Sequence, residues 1–127
     1  MDIKPGKFQK DYEVVFILSP EVSEEDYKRA VKKYTNLIKE AEGSIVNVEY
    51  WGVRKLAYPI RKKTKGYYAY IEFRAYAELP TRMEKQFIYD QETVLRFLTV
   101  TLDKHAVAYN IKRRQQGFGM RQTAITQ

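Results

Sequence analysis

The stretch Tyr12-Glu13-Val14-Val15-Phe16-Ile17-Leu18-Ser19-Pro20-Glu21-Val22-Ser23-Glu24-Glu25-Asp26-Tyr27 decides the fold, because it sets a strand directly ahead of a helix. Tyr12 to Leu18 is crowded with β-branched and aromatic side chains and stops at Ser19-Pro20, as a central strand would. Ser23 suits a helix N-cap, and Asp26 three residues on gives a capping-box pattern. Beyond it Tyr27, Ala30, Val31, Tyr34, Leu37, Ile38 and Ala41 recur at the spacing of one apolar helix face. Gly43 is placed to end that helix as its C′ residue.

Outward from this unit, a second strand runs from about Ser44 to Arg54, and Asn47-Val48-Glu49-Tyr50 alternate, so one side is wet. Gly66 opens a third strand, Tyr67 to Tyr76. Its alternation puts Tyr67, Ala69, Ile71 and Phe73 on one face and Tyr68, Tyr70, Glu72 and Arg74 on the other. Pro80 fits the first turn of a second helix, with Leu79, Met83 and Phe87 one turn apart. Val94 to Leu102 is a fourth strand with two fairly apolar faces. The order β-α-β-β-α-β lets two right-handed βαβ units interleave. The expected class is α+β: a ferredoxin-like sandwich with a four-stranded antiparallel sheet in the order 4-1-3-2 and two helices on one face. Residues 1–10 are expected to be a flexible arm, 11–107 the ferredoxin-like domain and 108–127 a basic flexible tail.

Composition excludes several function classes. A chain of 127 residues with 44% apolar and 31% charged residues fits one globular domain with its own core. Zero cysteines and a single histidine, His105, exclude zinc fingers, iron–sulfur clusters and thiol nucleophiles. The longest apolar run, Val14 to Leu18, is far too short to span a membrane. The first residues lack a signal-peptide core, which gives a cytoplasmic expectation. No metal, cofactor or small-molecule substrate is expected. Small enzymes of this topology hold an acyl phosphate in the loop after the first strand. Here that loop, Leu18 to Glu24, has no Gly, no Arg and two acids, so it would repel one. Glu24, Glu25 and Asp26 read as acids complementing a helix dipole, and Gly117-Phe118-Gly119 follows no strand.

The net charge is +7, and its placement says more than its size. Residues 52–66 hold Arg54, Lys55, Arg61, Lys62, Lys63 and Lys65 without an acid, and residues 105–127 hold Lys112, Arg113, Arg114 and Arg121 without an acid. The rest of the chain is mildly acidic. The first segment reads as a loop with a proline-stiffened apolar centre, Leu56 to Ile60, shaped to present its cations to phosphates. Lys65-Gly66-Tyr67-Tyr68-Ala69-Tyr70-Ile71-Glu72-Phe73 is a near match to the RNA-recognition-motif octamer with one residue too many. Tyr68 and Tyr70 could therefore stack bases, pair across strands or meet a protein partner; Phe118 and Met120 could fill a partner's pocket.

Trp51-Gly52-Val53-Arg54-Lys55-Leu56-Ala57-Tyr58-Pro59-Ile60 closely resembles the signature of the bacterial small-subunit ribosomal protein 6 (bS6) family. Tyr12-Glu13, Lys65-Gly66-Tyr67-Tyr68 and Val94-Leu95-Arg96 follow in the family's order, and the similarity spans roughly residues 11–107. The resemblance implies a structural component of the ribosome rather than an enzyme. It implies pairing with small-subunit ribosomal protein 18 (bS18) and binding of small-subunit (16S) ribosomal RNA in the central domain, at the platform. Arg54, Lys55 and Arg96 fall on basic positions of the family pattern. Arg61, Lys62, Lys63 and Lys65, with Lys112, Arg113, Arg114 and Arg121, join them as candidates on charge alone. An RRM-like single-strand binder and an acylphosphatase-like enzyme are the alternatives. The isolated protein is expected to be monomeric.

Overall fold

In a computed structural model, residues 8–116 are described. The elements run β1 (Gln9–Leu18), α1 (Glu24–Glu40), β2 (Ser44–Ile60), β3 (Lys63–Tyr76), α2 (Glu78–Tyr89), β4 (Val94–Leu102) and α3 (Lys104–Gln115). The four strands form one sheet in the order β2-β3-β1-β4 with every neighbouring pair antiparallel, the ferredoxin-like arrangement read from the sequence. Strand β1 takes in Gln9 and Lys10, the end of the expected arm.

Alternation along the central strands divides the sheet into two unlike faces. Val14, Phe16 and Leu18 of β1 and Ala69, Ile71 and Phe73 of β3 point to the core face. They pack against Tyr27, Val31, Tyr34 and Ile38 of α1 and Leu79, Met83 and Phe87 of α2. Phe16, Tyr34 and Phe87 form an aromatic centre with ring centroids 4.5–5.2 Å apart. Burying such rings removes a large apolar area from water, and their edge and tilted contacts add to it.

Both ends of α1 differ in detail from the sequence reading. Ser23 Oγ accepts the Asp26 N–H at 3.0 Å, so the N-cap is as expected, but the Asp26 carboxylate turns to Arg29 at 2.5 Å and does not reach back to close a capping box. At the C-terminus the left-handed residue is Glu42, with φ 67°, one position before Gly43. The Gly43 N–H reaches the Ile38 carbonyl at 2.9 Å and Glu42 reaches Lys39 at 3.0 Å, the two bonds of a Schellman ending. Gly43 is needed for space instead. A Cβ there would sit 2.9 Å from the Arg74 carbonyl oxygen, where the chain turns onto the sheet.

Two further differences bear on function. The segment 52–66 is not a loop: β2 and β3 continue through it as a two-stranded hairpin turning at Arg61 and Lys62. Both turn residues take positive φ (47° and 67°), the geometry of a two-residue type I′ turn. That turn normally announces itself by Asn-Gly, so Arg-Lys gave no signal. Residues 104–115, most of which were expected in the tail, form helix α3 on the sheet face opposite α1 and α2. Asp103 caps it, its Oδ1 accepting the Ala106 N–H at 2.8 Å. Phe118, Met120 and Arg121 lie outside the described residues.

Candidate nucleic-acid interface

The hairpin is anchored before it presents anything. Leu56 is buried against Ile17 of β1 and Leu95 of β4, with Ile60 and Tyr68 packed alongside, so the centre of the signature is a foundation. Tyr58, two residues on, is 76% exposed. Gly66 admits the close approach of β3 to β1 at this point, since a Cβ would lie 2.9 Å from the Leu18 carbonyl oxygen.

Arg61 fixes the tip. Its guanidinium donates to the carbonyl of Gln91, to that of Val94 at 2.9 Å and to that of Leu95 at 3.4 Å. These bonds hold an arginine in left-handed backbone, which costs roughly 1 kcal/mol or more outside glycine. They use three of its five N–H donors, so Arg61, expected to meet RNA, also tethers the turn. Lys63 is half-buried and pairs with Glu21. Lys55, Lys62 and Lys65 are exposed and have no ion pair among the described residues. Arg54 lies over the Trp51 ring, 5.3 Å from its centroid. Arg96 is exposed on β4; opposite Ile17 in the register, it shares a face with Tyr68 and Arg54. Lys55 and Lys65, paired across the hairpin on the side away from Arg54, with Lys62 at the turn and Arg96 on the other face, are open point charges and one fork, suited to a phosphate backbone.

The C-terminal cations behave differently. Arg113 meets Glu49 at 3.3 Å and Arg114 meets Glu72 at 2.7 Å, both acids buried in the sheet. They were expected on RNA; in this structure they pair with the chain's own carboxylates, and Lys112 alone of that trio is exposed. Tyr70, expected to face a partner, is 3% exposed. Its ring stacks on Trp51 at 5.6 Å and its hydroxyl donates to Glu13 at 2.9 Å. Burial first, and the neighbouring Glu13 next, push that hydroxyl far above its ordinary value. Tyr68 is half-buried. The acids Glu13, Glu49 and Glu72 and their partner Asn110 escaped the sequence reading. Their one signal was carboxylates recurring on the wet side of three strands.

Among the described residues, no group of His, Cys, Asp and Glu could hold a metal ion, and no helix is long and apolar enough to cross a membrane.

Comparison with known proteins agrees with this architecture. A family model described as Ribosomal protein S6 matches residues 11–101. The chain is 51% identical over 104 residues to the small ribosomal subunit protein bS6 of Parabacteroides distasonis, covering 82% of this chain and 87% of that one. It is 49% identical over 104 residues to the bS6 of Porphyromonas gingivalis, covering 82% and 88%. A solved structure of 30S ribosomal protein S6 from Thermotoga maritima superposes with a TM-score of 0.69 at 28% identity, covering 86% of this chain and 96% of that one.

Proposed function

Because this chain belongs to the ribosomal protein S6 family, and so is a small-subunit ribosomal protein and not an enzyme, we propose that its β2–β3 hairpin binds the phosphate backbone of 16S ribosomal RNA. One observation carries the reading: Lys55, Lys62 and Lys65 stand exposed and without ion pairs among the described residues, on a hairpin pinned by Leu56 and Arg61. Pinning matters because cations held in place lose less entropy on binding than cations on a free loop. Arg54 and Arg96, on the face that holds Tyr68, extend the set to the side of the hairpin opposite Lys55 and Lys65. Lys63 adds to it by exchanging Glu21 for a phosphate.

The protein partner in this reading is bS18. Strand β4 is a sheet edge, and its Leu98 is 63% exposed, with Val100 beside it on the same face. A partner covering them would shield both an unpaired backbone edge and an apolar patch. The setting is the ribosome in the cytoplasm.

The test is co-sedimentation with small subunits through a moderate-salt wash. Wild-type protein should stay bound, and the triple variant Lys55→Gln, Lys62→Gln, Lys65→Gln should be washed off while keeping its thermal midpoint. Retention of the triple variant equal to wild type would remove the hairpin from the RNA interface.

A further inference from the structure

The sheet face away from the core buries carboxylates in one patch. Glu13, Glu72 and Glu49 project from the adjacent strands β1, β3 and β2 onto the same side. Glu49 and Glu72 are 3% and 1% exposed. Ionised groups stay buried only where cations and donors replace their lost water. The strands supply some donors, Asn47 and Trp51 to Glu49 and Tyr70 to Glu13, and helix α3 supplies the cations. Besides the two arginine pairs, Asn110 Nδ2 lies 3.4 Å from Glu72 Oε1 and from the Tyr70 hydroxyl, and 3.5 Å from Glu13 Oε1. The Arg113 guanidinium lies 5.8 Å from the Tyr70 ring centroid, on the aromatic wall that Tyr70 builds with Trp51.

The fit is incomplete in two respects. Glu72 Oε2 is buried and has no hydrogen-bond partner. Along its 12 residues α3 buries only Asn110, so polar contacts hold it in place with little apolar burial to help. A helix held this way opens at low cost compared with the core.

We propose that this patch is a docking site for an arginine-bearing segment of a partner protein, and that α3 occupies it in cis as a displaceable stand-in. Charge complementarity selects the occupant: the carboxylates repel the phosphates of a nucleic acid and attract a cationic peptide. The aromatic wall selects arginine over lysine, because a guanidinium stacks on a ring while forking its donors to a carboxylate, and an ammonium does not. Glu72 Oε2 is the acceptor that α3 leaves unused and an incoming arginine can take. This site shares no residue with the hairpin lysines, so it stands apart from the RNA reading.

The experiment uses the full chain with a nona-arginine peptide, a nona-lysine peptide and oligouridylate as probes. Trp51, the only tryptophan, reports by fluorescence. Two variants free the patch: Arg113→Ala with Arg114→Ala, and separately Asn110→Asp, which sets a third charge against Glu13 and Glu72. A competitor in cis lowers apparent affinity by the fraction of patch left open, so both variants should bind the arginine peptide about tenfold tighter or more than wild type. Adding Glu49→Gln and Glu72→Gln should abolish the gain, and the lysine peptide should gain less. Unchanged arginine-peptide affinity in both freed variants would overturn the proposal. So would a gain that survives loss of the carboxylates, one equal for the lysine peptide, or one seen for oligouridylate instead.

Discussion

As sequence, the hairpin tip at Arg61-Lys62-Lys63 and the last turn of α3 at Lys112-Arg113-Arg114 look alike, each a run of cations in an acid-free segment. In the folded chain they are put to different uses. The hairpin spends one arginine on backbone carbonyls and one lysine on Glu21, and leaves three lysines facing solvent. α3 turns both arginines inward onto Glu49 and Glu72 and leaves Lys112 exposed. Charge density in a sequence thus measures how many cations a segment has, and the sheet beneath decides how many are available to a polyanion.

The largest expected effect tests the hairpin's foundation. Leu56→Ala should cost about 2–4 kcal/mol, because it empties a buried contact with Ile17 and Leu95. Chemical denaturation would measure it, and hydrogen exchange should show hairpin amides loosened first. A loss under about 1 kcal/mol would mean that the hairpin stands without its anchor.

Removing α3's arginines comes next. Arg113→Ala with Arg114→Ala should destabilise the chain by about 1–2 kcal/mol, less than a trapped unpaired charge would cost, because α3 can lift and let water reach the acids. The loss should shrink as salt rises, whereas that of Leu56→Ala should not.

How much of this was legible follows from where the information lay. The period-2 run Tyr67 to Phe73 and the apolar stripe of α1 are local signals that burial rewards directly, so strand order and core could be read. The hairpin extension and α3 lacked such signals. The turn at Arg61 and Lys62 is held by carbonyls about 30 residues away, from Gln91 to Leu95, and α3 by acids 42 and 64 residues away. Such contacts leave no spacing pattern in the chain. The cations of the candidate site were therefore visible, and which of them the fold had already claimed was not.

A third use of charge sharpens the contrast. Burial alone would raise the Asp90 carboxyl, but hydrogen bonds from Lys33 at 2.8 Å, Tyr34 at 2.6 Å and Gln86 outweigh it and hold it below its ordinary value of 3.8. A lowered carboxylate stabilises the fold above its unfolded value, and that contribution is lost as pH falls through the folded one. Asp90→Asn should therefore cost about 1 kcal/mol at neutral pH, and the gap to wild type should close below pH 3.8. A gap that is constant with pH would remove ionisation from its role there.

The smallest effect on stability belongs to the exposed lysines, where Lys55→Gln, Lys62→Gln and Lys65→Gln together should shift unfolding by less than about 0.5 kcal/mol. In the proposed function their effect is on binding. The direct measurement is the salt dependence of affinity for 16S central-domain RNA, compared among wild type, the lysine triple variant and Arg113→Gln with Arg114→Gln. Each phosphate contact contributes roughly 0.7–0.9 to the log–log slope, so the triple variant should flatten it by about 2 to 3 while the arginine variant leaves it nearly unchanged. Equal slopes for wild type and the triple variant, or a larger loss in the arginine variant, would contradict the assignment of RNA binding to the hairpin.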